Sequence, residues 1–198
     1  MFADRRFASV CLIVIVCLSL FFGTLRSLNS LRDDVLYSFG GKSGSGIAFA
    51  DYKAVDKNYV DVRTDLSKLT SQASELLSIY EATIGGDETF LSFQDSLFVF
   101  VSADDDPFGD DFADAFKSLM QSAGAAYYKL DIMLDSEKDA QLYNSATAYY
   151  REMRSTVMRI QNNGAYLLAV IKYNSAVSSP HGKIAAGVFN MKKAADFK

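Results

Sequence analysis

Tryptophan is absent from this 198-residue chain, histidine occurs once, at His181, and proline only at Pro107 and Pro180. So few prolines leave long stretches free to be helical, because a helix interior cannot lose the N–H that proline lacks. Cysteine is nearly as scarce. Cys11 and Cys17 both lie in the first apolar segment, six residues apart on one expected helix, a spacing that does not close an internal disulfide. A disulfide framework and a cysteine-based metal site are thereby excluded, and cysteine usage does not identify the compartment. A basic face is missing too. The 20 Lys and Arg are scattered among 24 Asp and Glu, for a net charge of −4, so nucleic acid is not an expected partner.

What is present points to a folded, membrane-linked chain. Hydrophobic residues make up 49% and charged residues 22%, values of a globular protein and not of a disordered one. From Phe7 to Leu25, FASVCLIVIVCLSLFFGTL, nineteen residues pass without a charge, between Arg5 and Arg6 on one side and Arg26 on the other. As a helix this run is roughly 29 Å long, enough to cross the hydrocarbon core of a bilayer. A cleaved signal peptide would have a shorter apolar core and a small-x-small cleavage site, which Phe22, Gly23 and Thr24 do not supply. The segment is therefore read as an uncleaved anchor, with the lipid bilayer as partner of residues 7–25. Charge is almost even across it, Arg5 and Arg6 with the amino terminus against Arg26, Arg32 and Lys42, so the positive-inside rule sets no orientation. Ser19 and Gly23 form a small-xxx-small pair that would let two such helices approach, which admits a homo-oligomer, although long apolar runs contain such pairs by chance.

Beyond the anchor the apolar pattern keeps helical period. Leu25, Leu28, Leu31, Val35 and Phe39 carry one face onward to about residue 39, and GGKSGSG over residues 40–46 reads as a flexible linker. Tyr52, Val55, Tyr59, Val62, Leu66, Leu69, Ala73, Leu76 and Tyr80 form a heptad-like seam, predicting a helix of about 35 residues stopped by Gly85 and Gly86. Asp87 caps a shorter helix to about Ala103. Leu97 to Val101, LFVFV, also has strand character, but an isolated strand is marginal in a helical protein. A third helix is expected from about Phe108 to Met133. A fourth is capped by Asp135 or Ser136, with its seam at Tyr143, Ala146, Tyr150, Met153, Val157 and Ile160. A last one runs from near Ala165 through Tyr166, Val170, Tyr173 and Val177 and breaks before Pro180. The expected fold is all-α: a short tail over residues 1–6, a transmembrane helix, the linker, and an elongated antiparallel helical bundle over residues 47–198.

Few residues tempt a chemical reading. Asp104, Asp105, Asp106, Asp110, Asp111 and Asp114 cluster before the third helix, and Asp104, Asp106 and Gly109 fit three positions of a calcium loop. Phe108 and Ala115 occupy two required ligand positions, however, and acids at a helix start stabilise it by capping and through the helix dipole. His181 is expected in a loop and has no orienting partner or nucleophile motif nearby. Gly44-x-Gly46 lacks the strand and third glycine of a nucleotide fingerprint. Tyr52, Tyr59, Tyr80, Tyr143, Tyr150, Tyr166 and Tyr173 occupy seam positions and read as core, with a ligand pocket as the alternative. Asn174 reads as a buried hydrogen-bonding residue that fixes helix register. No catalytic, cofactor-binding or metal-ligating residue is assigned and no cofactor is expected.

Two stretches resemble a known family. Asn29-Ser30-Leu31-Arg32 with Val35 looks like the juxtamembrane stretch of LemA family proteins. Tyr173-Asn174-Ser175-Ala176-Val177, then Pro180, Ile184, Ala185, Ala186, Phe189 and Phe197, resembles that family's ending, and residues 135–163 resemble its penultimate helix. The family's basic run and Leu-Ile-Pro-Asn after the first helix are missing, and Ser179 stands where Phe usually precedes the proline. The resemblance implies a short outer N-terminus, one membrane helix and a helical domain on the cytoplasmic side. It names no agreed biochemical activity. A structural or interaction role with an unidentified protein partner is the expectation, with a ligand-sensing bundle that signals through helix movement as the alternative.

Overall fold

A computed structural model describes residues 2–40, 61–103, 106–109 and 111–197, with side chains from residue 8 onward. Among the described residues there are seven helices and no strand. Helix α1 (Phe2–Phe39) runs unbroken from the amino-terminal end of the chain through the apolar segment into the core, so the residues expected as a tail are helical from Phe2. Gly40, at φ +110°, ends it, and there a Cβ would lie 2.9 Å from both Arg63 Cβ and the Asp61 carboxylate. Only glycine lets the end of α1 pass so close to the start of the next helix.

Helix α2 (Val62–Thr83) starts where the Asp61 carboxylate accepts the Thr64 N–H at 2.8 Å. Asp61 is extended, so α2 is shorter than the 35 residues expected. A capping side chain with non-helical backbone breaks a seam that apolar spacing alone would carry through. Tyr52, Val55 and Tyr59 lie outside the described residues, as do residues 41–46 of the linker. Helix α3 (Glu88–Ala103) buries Phe90, Phe93, Leu97 and Phe100 and exposes Phe98, Val99 and Val101. Steps of three and four place LFVFV in a helix.

Helix α4 (Phe112–Met133) begins four residues later than expected. Asp106 accepts the Phe108 N–H at 2.9 Å and its carbonyl accepts the Gly109 N–H at 3.0 Å, so Pro107 and Phe108 form a turn instead. Helix α5 (Ala140–Gln161) is preceded by a turn in which Asp135 accepts from the Glu137 N–H; Asp135 thus caps the turn and not the helix itself. Asn163 caps helix α6 (Gly164–Ser178), accepting from the Tyr166 N–H at 3.1 Å. Pro180 then opens a further helix, α7 (Pro180–Phe189), that the sequence pattern did not predict.

Helices α2 to α5 form an antiparallel bundle in which α2 packs chiefly on α5 and α3 on α4. Leu66, Leu69, Ala73, Leu76 and Tyr80 of α2 face Leu119, Ala123, Ala126 and Leu130 of α4 and Ala146, Met153 and Ile160 of α5 in one buried cluster. Each buried Leu or Phe contributes roughly 1.5–3 kcal/mol, largely offset by the cost of ordering the chain. At one end of the bundle α1 packs against α6 and α7. Leu28, Val35 and Phe39 of α1 are buried in the same core. The join is aromatic: Phe39 meets Phe112 edge-on at 5.9 Å and lies 5.9 Å from the Tyr166 ring.

Candidate functional site

The irregular carboxy-terminal chain is held by a set of hydrogen bonds from α6 and its neighbours. Asn190, at φ 50°, ends α7 in the left-handed conformation, and the following residues run without regular secondary structure back across α6. Their backbone groups bond mainly to side chains. The Tyr173 hydroxyl donates to the Lys192 carbonyl at 2.9 Å, and the Tyr166 hydroxyl donates to the Ala195 carbonyl at 2.8 Å. Asn174 donates to the Ala194 carbonyl at 2.9 Å and accepts the Ala194 N–H at 2.8 Å. Gln161 donates to the Phe197 carbonyl, and the Ala195 N–H donates to the Pro107 carbonyl at 2.7 Å. Phe197 is thereby delivered into the aromatic join, 5.0 Å from the Phe116 ring and 5.3 Å, edge-on, from Phe112. Burial pushes the Tyr166 phenol far up from its usual value and raises Tyr173 as well, which keeps both as neutral donors.

Two polar clusters hold the bundle itself. Asp65, 2% exposed, takes an apolar-face position on α2 and accepts from Arg159 of α5, with Nη2 to Oδ1 at 3.0 Å. The same Arg159 nitrogen donates to Thr156, whose hydroxyl donates to Gln72 at 3.2 Å. At the α2–α3 turn, Asp87 accepts from the Tyr80 hydroxyl at 2.9 Å, the Phe90 N–H at 2.9 Å and the Lys129 ammonium. The Lys129 bond, then the Phe90 N–H, hold its carboxyl at about 2, well below the usual range. Burial, then the hydrogen bond to Asp87, set the Tyr80 phenol above its usual value, the Thr89 side chain acting against them. Every buried side-chain N or O among the described residues has a partner.

The residues singled out in the sequence fall into place around these clusters. Tyr80, Tyr166 and Tyr173 are fully buried with bonded hydroxyls. Tyr143 and Tyr150 are half-buried, Tyr150 stacking on Tyr127 at 4.3 Å, and Tyr52 and Tyr59 lie outside the described residues. Asn174 bonds to the carboxy-terminal backbone and not to a neighbouring helix. His181 is on the first turn of α7 and exposed, a correction to its expected loop, because Ser179 and Pro180 start a helix there. Asp104, Asp105 and Asp110 lie outside the described residues, as does Gly44-x-Gly46. Asp106 serves the turn before α4, and no cluster of potential metal ligands occurs among the described residues. The Asp65–Arg159 pair had a local trace, an acid on an apolar helix face; its partner, 94 residues away, had none.

One cleft opens between α4, α5 and the carboxy-terminal chain, lined by Phe116, Met120, Val157 and Phe197 with Lys117 and Arg154 at its edge. Its volume is about 260 Å³, and a larger groove of about 480 Å³ lies between α1 and the α6–α7 corner, lined by Ser19, Gly23, Ala176 and His181. No family model matches this chain, and no curated protein or solved structure matches it either.

The most exposed apolar surface belongs to α1. Val10, Leu12, Ile13, Val14, Ile15, Val16, Leu18, Leu20 and Phe22 are each about half exposed or more. The helix is long and apolar enough to cross a membrane from residue 8 onward, with no residue of its most apolar window buried by the rest of the chain.

Proposed function

We propose that this chain is a single-pass membrane-anchored helical bundle of LemA type, with a structural or protein-interaction role at the cell membrane and no catalytic activity. The observation that carries the anchor is the bare apolar first half of α1. Leaving it in water would expose a run of large aliphatic side chains far beyond what a soluble surface tolerates, and a bilayer is the medium that suits it. Support for a non-catalytic role comes from the use made of the perturbed groups. Asp87, Lys129 and Tyr80 close a turn, and Tyr166 and Tyr173 tie down the carboxy terminus. LemA likeness rests on the residues around Tyr173 and Asn174, which here form the tie to the carboxy-terminal chain.

The anchor is tested by alkaline carbonate extraction of membranes followed by amino-terminal sequencing. Residues before Phe7 are expected on the membrane-retained protein, and a mature start near Thr24 overturns the reading. Following the family resemblance, we put the helical domain on the cytoplasmic side. A cysteine at Leu142, exposed on α5, with Cys11 and Cys17 replaced by Ser, should react with an impermeant maleimide only after lysis; labelling of intact cells reverses the topology. An interaction role predicts that cross-linking in intact membranes captures a defined partner, and its absence argues for a purely architectural role.

A second reading, a sensor that signals through helix movement, is favoured by the continuity of α1. One uninterrupted helix joins the apolar segment to Phe39 at the aromatic centre, so displacement at either end is conveyed to the other. A ligand that shifts the reactivity of a cysteine placed in the anchor would support it.

A further inference from the structure

Helix α7 carries an apolar face that none of the described residues covers. Gly182, Ala185 and Ala186 are buried, while Ile184, Val188 and Phe189 are 63%, 66% and 50% exposed. Its place gives this face a meaning. The Phe189 ring stacks on Phe21 at 6.1 Å, and Phe21 lies four residues before the end of the uncharged segment at Leu25, roughly 6 Å of helix rise. The α6–α7 corner is level with the same stretch: Ala176, Ser179 and His181 line one groove with Ser19, Leu20, Gly23 and Thr24. A bilayer that takes up residues 10–22 therefore meets α7 at the depth of the last turns of the anchor. A ring stacked on Phe21 cannot stay in bulk water while Phe21 is in lipid.

Charge agrees with position. The chain as a whole is acidic, yet between Glu152 and Asp196 it has no Asp or Glu and six Lys or Arg. Two of these, Lys183 on α7 and Lys193 just beyond it, are exposed and line one groove with Ala186 and Gly187 of α7. An apolar stripe edged by lysine, at the level where a membrane helix ends, is the arrangement of an interfacial helix. Basic residues beside an anionic leaflet each add roughly 1 kcal/mol of attraction.

We propose that α7 is an interfacial membrane helix. It lays Ile184, Val188 and Phe189 into the acyl boundary of the leaflet where the anchor ends, with Lys183 and Lys193 against anionic phospholipid headgroups. The proposal rests on the anchor reading. It adds a second fixed point to the attachment through α1, because the corner at Ser179 and the bonded carboxy-terminal chain hold α7 to the bundle. The bundle then has one orientation on the membrane surface.

The test uses the full chain with Cys11 and Cys17 replaced by Ser, reconstituted in vesicles of phosphatidylcholine and phosphatidylglycerol. A bimane label is placed on single cysteines at Phe22, Val188 and Leu142, all exposed positions, and quenched by lipids spin-labelled on the acyl chain near the headgroup. The label at residue 188 is expected to be quenched as strongly as that at residue 22, with residue 142 unaffected. Quenching at 22 with none at 188 overturns the proposal and leaves the anchor standing; the α7 face would then meet water or another protein. No quenching at 22 overturns the anchor and this proposal together. In vesicles of phosphatidylcholine alone, quenching at 188 should weaken, and unchanged quenching removes the role assigned to the lysines.

Discussion

Asn174 reads the backbone of Ala194 as a second strand would, donating to its carbonyl at 2.9 Å and accepting its N–H at 2.8 Å. Ala194 is 5% exposed, so this one side chain satisfies both polar groups of a buried peptide position. Asn174→Ala leaves both unpaired and is expected to cost roughly 2–3 kcal/mol. The loss should be local before it is global. Trypsin should cut after Lys192 and Lys193 markedly faster in the variant under native conditions, since the irregular chain is held there by Tyr173, Asn174 and Tyr166. Equal cleavage in variant and parent would mean that Phe197 in its aromatic setting holds the chain by itself.

The Asp65–Arg159 pair is asymmetric, and the asymmetry predicts unequal mutants. Asp65 has 3% of its side chain exposed and Arg159 46%. Arg159→Ala strands a buried carboxylate with only Lys68, at 3.7 Å, nearby. A cost of about 2–3 kcal/mol is expected, short of the full value for a wholly buried pair. Asp65→Ala frees an arginine that can swing into water, and should cost about 1 kcal/mol. Urea denaturation of both variants and of the double mutant measures this. Asp65→Ala proving the more damaging would contradict the assignment of the carboxylate as the buried partner.

What was legible in the sequence is what repeats. Leu66, Leu69, Ala73, Leu76 and Tyr80 lie at steps of three and four, and all five are buried. The α5 seam is buried at Ala146, Met153 and Ile160 and half-buried at Tyr143, Tyr150 and Val157, and the onward run of α1 is buried at Leu28, Val35 and Phe39. Single-event signals were harder. By apolar pattern Pro180 ends a helix, yet with Ser179 before it the same proline is a start, since the first helical position needs no N–H. Asp61 and Phe108 shortened two helices through caps and turns that apolar spacing does not register. The carboxy-terminal chain has no period at all, and its course depends on Tyr166, Tyr173 and Asn174 meeting backbone atoms 19 to 29 residues away.

Asp87 makes stability depend on acid. Its carboxyl titrates at about 2 in the folded protein, lowered chiefly by Lys129 and then by the Phe90 N–H, against about 3.9 unfolded. A depressed folded value means that its contribution is complete above about pH 4 and is lost as pH falls toward 2. Asp87→Asn keeps an acceptor for the Phe90 N–H but loses the charge. The variant should melt below the parent at pH 7, and the gap should close between pH 4 and 2. A gap that persists unchanged at pH 2 would show that geometry and not charge makes the difference.

Two glycines of α7 should respond to alanine in opposite directions. A Cβ at Gly182 would lie 1.8 Å from the Ala176 carbonyl oxygen and 2.8 Å from Ser179 Oγ. Ser179 is the hinge of this corner: its hydroxyl donates to the Ala176 carbonyl at 2.7 Å and accepts the Gly182 N–H at 3.0 Å. Backbone cannot move aside as a flexible side chain would, so Gly182→Ala must separate α7 from α6 and is expected to cost about 3 kcal/mol. At Gly187 nothing lies within 4 Å of the added atom, and the residue is inside the helix. Gly187→Ala there should stabilise by roughly 0.5–1 kcal/mol, by restricting the unfolded chain and favouring the helix. Thermal unfolding of the two variants side by side decides the matter. A neutral Gly182→Ala would mean that α7 does not fold back on Ala176 as described, and its position beside Phe21 would fall with it.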